Sequence, residues 1–119
     1  MDKILRQALL YDFYGELLTE HQKSIYEDFV LNDYSLSEIG EDRKISRQGV
    51  YDIIKRCDKL LNGYEEKLHL VQKFLIAKEQ VAKIHELASE ILKADGAPDK
   101  ATEYLRQIEN ISNGILEEM

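Results

Sequence analysis

Arg47, Gln48, Tyr51, Lys55 and Arg56 fall within one short stretch, SRQGVYDIIKR (46–56). A guanidinium and an amide can each make paired hydrogen bonds to base edges, and an ammonium answers phosphate. A phenol ring can stack on a base. In a helix of about 3.6 residues per turn, Gln48, Asp52, Lys55 and Lys59 lie near the centre of one side, flanked by Arg47, Tyr51 and Arg56. Val50, Ile53, Ile54, Cys57, Leu60 and Leu61 take the other side. One face of such a helix is held by a core while its cationic and amide groups face outward. That is the layout of a recognition helix in a helix-turn-helix.

Something must position that helix. Upstream, Leu36, Ile39 and Gly40 mark a shorter helix with Ser35 or Ser37 as its cap. Arg43-Lys44-Ile45 forms the turn, Ile45 tucks between the helices, and Ser46 caps the second helix. Residues 2–18 form a first helix on Ile4, Leu5, Ala8, Leu9, Phe13 and Leu17, with Leu10, Tyr11 and Tyr14 widening the stripe. Thr19 with Gln22 matches a capping box for a second helix over about 20–31, which Asn32-Asp33 ends. Asn62-Gly63 either ends the recognition helix or is absorbed in it. Residues 64–94 read as one long helix, and Asp95-Gly96-Ala97-Pro98-Asp99 as a break before a last helix to about Glu117.

The expected fold is therefore all-α. A helix-turn-helix bundle occupies residues 1–63, and a helical hairpin over 64–119 packs on that body or on a second copy of the chain. A content of 44% apolar residues supports a core, and a single proline suits helices. No run of about 18 apolar residues is present, so no membrane insertion is expected. The N-terminus meets charge too early for a signal peptide. Cys57 is the one cysteine and lies on an apolar face, which makes it a small core residue; a cytoplasmic setting follows. The histidines His21, His69 and His85 lack ligand spacing, and none of the nucleotide, hydrolase or metalloprotease motifs occurs. No catalytic residue, metal or cofactor is expected. Glu65-Glu66 and Glu117-Glu118 read as solvated surface.

Charge tempers the nucleic-acid reading. The chain carries −7 overall, while residues 34–61 hold six basic against five acidic side chains. Residues 1–33 and 62–119 each carry −4. Acidic flanks repel phosphate over a Debye length of about 8–10 Å, so strong nonspecific affinity is not expected. Arg56 and Lys59 can also be spent on ion pairs along the helix, Arg56 with Asp52.

Residues 17–61 are similar to region 4 of bacterial sigma factors. LLYDFYGELLTEHQ, the SLSEI segment, SRQGVYDIIKR and YEEKLHL together more closely resemble the YlxM family of small bacterial proteins associated with the signal recognition particle. That resemblance spans about residues 9 to 70. It implies a regulatory or accessory role in protein targeting, with DNA or the particle's RNA as partner and its protein components as further partners. Ser46, Arg47, Gln48, Tyr51 and Lys55 then correspond to the exposed part of the recognition helix. Arg43 and Lys44 stand where such turns usually carry an apolar residue and a glycine or asparagine. They add positive charge beside the phosphate path, and Lys44 must accept positive φ at a cost of about 1 kcal/mol. Arg43 must carry its stem along the core and its head to solvent, or distort the turn. A sigma-region-4-like transcriptional regulator and a protein-interaction module without nucleic-acid contact are the alternative readings.

Overall fold

The computed structural model describes residues 2–93 and 98–118. These residues form helices with no strand: α1 (Lys3–Tyr14), α2 (Glu20–Val30), α3 (Leu36–Arg43), α4 (Arg47–Leu68), α5 (Leu70–Lys93) and α6 (Pro98–Glu118). They fall into two compact units, Met1–Val71 and Gln72–Met119.

In the first unit α1 buries Gln7, Leu10, Tyr11 and Tyr14, one stripe at helical spacing, whereas Ile4, Leu5, Phe13 and Leu17, expected to carry the apolar face, are exposed. It stops four residues earlier than its apolar pattern. A 3-10 turn, Gly15–Leu17, follows, and Leu18 is extended, so that Thr19 can cap α2. Glycine is required at position 15, because a Cβ there would lie 2.8 Å from the Tyr11 ring. Thr19 and Gln22 close the expected capping box, and Ser35 with Glu38 closes another at the start of α3. Asp33 takes φ 60°, which turns the chain between α2 and α3.

The turn between α3 and α4 is undistorted. Lys44 sits in the left-handed region at φ 58°, and the Ile45 N–H donates to the Gly40 carbonyl at 2.9 Å. Ser46 Oγ accepts from the Gly49 N–H at 2.9 Å and caps α4. α4 touches α1, α2 and α3 and is the spine of this unit. Its buried stripe is Val50, Ile54, Cys57, Leu61 and Glu65. Ile53 is half-buried and Leu60 is 37% exposed, so the buried face is narrower than the apolar pattern. Burial pushes the Cys57 thiol up to about 11, which keeps it a protonated core group.

α4 runs through Asn62-Gly63 and breaks only at His69, which takes φ 57°. The expected helix over 64–94 is thus two helices. A hydrogen-bond relay holds the break. Tyr14 Oη accepts from the Leu70 N–H at 3.1 Å and donates to Glu65 Oε1 at 2.6 Å, and that oxygen also accepts from the Val71 N–H at 2.9 Å. Side chains of α1 and α4 therefore satisfy the first two donors of α5. Glu65 is buried, a correction to its expected place on solvated surface. Gly63 meets no atom within 4 Å of a would-be Cβ. Gly63→Ala should therefore raise stability by about 1 kcal/mol, read as a higher urea midpoint at unchanged slope.

The second unit holds α5 beyond Val71 and α6. A Cβ on Gly114 would lie 3.7 Å from Gln80 Nε2, so α6 returns antiparallel along α5. Pro98 opens α6 as expected, whereas Asp95-Gly96-Ala97 lie outside the described residues. Leu87 is buried, while Val81, Leu92, Leu105 and Leu116 are more than half exposed. Among the described residues no helix is long and apolar enough to cross a membrane.

Candidate nucleic-acid interface

The α4 surface carries the groups expected of it. Arg47, Gln48, Tyr51, Lys55, Arg56 and Lys59 are all exposed. Lys55 Nζ lies 5.5 Å from the centre of the Tyr51 ring, a cation–π distance that aligns the two side chains. Asp52 does not pair with Arg56. Its Oδ1 accepts from Gln48 Nε2 at 2.9 Å, four residues back on the same face. The Gln48 amide nitrogen is thus engaged while its oxygen remains available, and Arg56 extends without a carboxylate partner among the described residues. Ser46 Oγ is held in place by the cap, which leaves its hydroxyl proton and one lone pair for a ligand.

The two turn residues separate. Lys44 is exposed and projects from the turn beside the start of α4. Arg43 is drawn inward: its Nη2 lies 2.7 Å from Asp28 Oδ2, with the two side chains 23% and 16% exposed. This ion pair joins α3 to α2 across fifteen residues of sequence. Nothing in the local pattern announces it, because Asp28 sits on a helix that reads as a separate element. Arg43 therefore braces the motif, while Lys44, Arg47, Gln48, Tyr51, Lys55 and Arg56 make its outward surface.

Beneath this surface lies a polar network that the helical pattern alone does not announce. Asp58 Oδ1 accepts from Tyr26 Oη at 2.6 Å and from Gln7 Nε2 at 3.0 Å, which ties α4 to α2 and α1. Burial, then the bond to Asp58, pushes the Tyr26 phenol well above its ordinary value. Two cations of α1 also reach the flank of α4. Lys3 and Arg6 stand with Lys55 around a cleft, and Arg6 Nη2 donates to Asn62 Oδ1 at 3.1 Å. The one sequence signal for them was their polar position on α1. No group of His, Cys, Asp and Glu suited to a metal ion occurs among the described residues.

A family profile, UPF0122, described as "Putative helix-turn-helix protein, YlxM / p13 like", matches residues 1–97. A UPF0122 protein of Caldanaerobacter subterraneus subsp. tengcongensis is 54% identical over 85 residues, 71% of this chain and 73% of that protein. UPF0122 protein YlxM of Bacillus subtilis is 49% identical over 89 residues, 75% of this chain and 81% of its own length. Similarity reaches through α6 in a UPF0122 protein of Thermoanaerobacter sp., 45% identical over 116 residues, 98% of this chain and 96% of the relative. The fold, the helix-turn-helix and these relatives agree: the chain belongs to the UPF0122, YlxM/p13-like family of helix-turn-helix proteins.

Proposed function

We propose that the protein is a non-enzymatic regulatory protein that engages nucleic acid through the exposed face of α4. One observation carries this reading. Arg47, Tyr51, Lys55 and Arg56 stand outward on a rigid, capped helix, and the one carboxylate at the centre of that face, Asp52, is occupied by Gln48. The finer placing is as an accessory of the signal recognition particle pathway in the cytoplasm, with the particle's RNA or DNA as ligand and its protein components as secondary partners. It rests on the sequence resemblance, and the acidic remainder of the chain favours it over a free-standing DNA reader.

Filter binding or gel shifts with duplex DNA and with the particle's RNA, across salt, test the reading. Arg47→Ala and Lys55→Ala should each reduce the slope of log K against log salt by about 1. Arg43→Ala should leave the slope unchanged and lower stability, because its guanidinium is committed to Asp28. If neither polymer binds below about 50 mM salt, the nucleic-acid reading fails and a protein-interaction module takes its place.

A second copy of the chain is the proposed partner of α5 and α6. The exposed Val81, Leu92, Leu105 and Leu116 leave this hairpin with little core of its own. Sedimentation of the full chain against one ending after Lys93 should show a dimer only for the former; a monomer in both removes the idea.

A further inference from the structure

Between α1 and the flank of α4 lies a cleft of about 200 Å³. We infer that it receives a single unpaired base of a single-stranded nucleic acid, so that the preferred ligand carries an unpaired nucleotide rather than being a uniform duplex. The inference rests on the nucleic-acid reading of α4 and adds to it a subsite built largely from other helices.

The cleft's chemistry matches each part of a nucleotide. Ile4, Phe29, Leu36 and Ile54 line it with apolar surface, which suits the face of a ring system. Tyr51, 42% exposed, stands at its edge as a stacking platform. The volume is below the roughly 300 Å³ at which pockets for larger ligands begin, and it suits one planar base. Asp58 also lines the cleft. Its Oδ1 is taken up by Tyr26 and Gln7, whereas Oδ2 accepts only a longer 3.2 Å bond from Gln7. A carboxylate oxygen has room for a second donor, and the exocyclic amino group of adenine or cytosine supplies one. Uracil and thymine have no amino group, and their one ring donor, N3–H, sits between two carbonyl oxygens that a carboxylate repels.

The rim supplies the phosphate contacts. Lys3 and Lys55 flank the cleft, and it continues along α1 and α4 into a second hollow of about 250 Å³ bordered by Arg6 and Asn62. Lys3, Arg6 and Lys55 make no ion pair with a carboxylate among the described residues. Three cations against Asp58 give this furrow a local +2 in a chain of −7. An apolar peptide would not use those cations. An acidic peptide would bring further carboxylates against Asp58. A nucleotide uses apolar wall, acceptor and cations together.

The test is fluorescence anisotropy of the full chain with short oligo-A, oligo-C and oligo-U, in RNA and DNA form, beside a duplex of matched length. Oligo-A and oligo-C should bind several-fold tighter than oligo-U and than the duplex. Ile4→Trp should fill the cleft from an exposed position and reduce oligo-A affinity roughly ten-fold, the loss of one stacked base, with duplex affinity unchanged. Lys3→Gln, at an exposed position with no ion pair, should weaken the single strand and lower its salt slope without touching the fold. Equal affinity for all four ligands overturns the proposal. So does wild-type binding of oligo-A by both variants; if Arg47→Ala, outside the cleft, still weakens binding, the α4 reading survives that result. RNA against DNA oligomers of one sequence shows which sugar the site accepts.

Discussion

Ile39→Ala is expected to lower the stability of the Met1–Val71 unit by about 3–4 kcal/mol. α3 has eight residues, too few to hold a helix in water by hydrogen bonding alone. Its apolar purchase is Leu36, half-buried, and Ile39, which is 0% exposed. Removing three carbons from that fully buried site opens a cavity in a unit where α3 packs on α4, and a close-packed core closes such a gap only in part. For a unit of this size the loss corresponds to a fall in Tm of about 15–25 °C. Urea unfolding followed by far-UV circular dichroism measures it, with Ile39→Val as the graded control at about 1 kcal/mol. A loss below that of the control would mean that Ile39 does not anchor α3. Nucleic-acid binding should fall in step, since Lys44 and the start of α4 are placed by this contact.

Tyr14→Phe is expected to cost about 2–3 kcal/mol although it removes a single oxygen. The ring stays, so no cavity forms. What is lost is an acceptor for the Leu70 N–H and a donor to the buried Glu65 carboxylate. A hydrogen bond to a charged group is among the stronger ones, and leaving a donor unpaired adds its desolvation cost. Burial, with the bond to Glu65, raises the Tyr14 phenol above its ordinary value, so the hydroxyl keeps its proton through neutral pH. The loss should appear in urea midpoints, and amide hydrogen exchange at Leu70 should quicken, while Val71, held by Glu65, is affected less. An unchanged Leu70 exchange rate together with wild-type stability would show that the relay does not hold the break between α4 and α5.

Much of this molecule was legible along the chain. Whereas the choice of Ser35 over Ser37 came from the structure and the positive φ at Lys44 was expected from the likeness to helix-turn-helix turns, the capping box at Thr19–Gln22, the cap at Ser46 and the buried place of Cys57 follow from signals spanning a few residues. Local backbone chemistry decides them, so sequence suffices. The polar face of α4 was readable for the same reason, since helical spacing alone sets which side chains share a side. The family resemblance rested on those same segments.

Long-range partners decided the rest. Arg43 reads as a free cation beside the phosphate path until Asp28, on another helix, takes it inward. Glu65 reads as surface until Tyr14, 51 residues away, gives it a donor. Gly63 reads as a possible stop, but its intrinsic cost of about 1 kcal/mol is outweighed by the stripe of α4 continuing to Leu61 and Glu65. The break falls instead where Tyr14 and Glu65 can cap a new helix. Sequence by itself determined the all-helical class, the caps at Thr19 and Ser46 and the outward chemistry of α4. Tertiary structure decided which charges remain free to meet a ligand and where the spine ends, because a charge or a hydrogen bond is satisfied by whatever the fold brings within about 3 Å, however far away it lies in the chain.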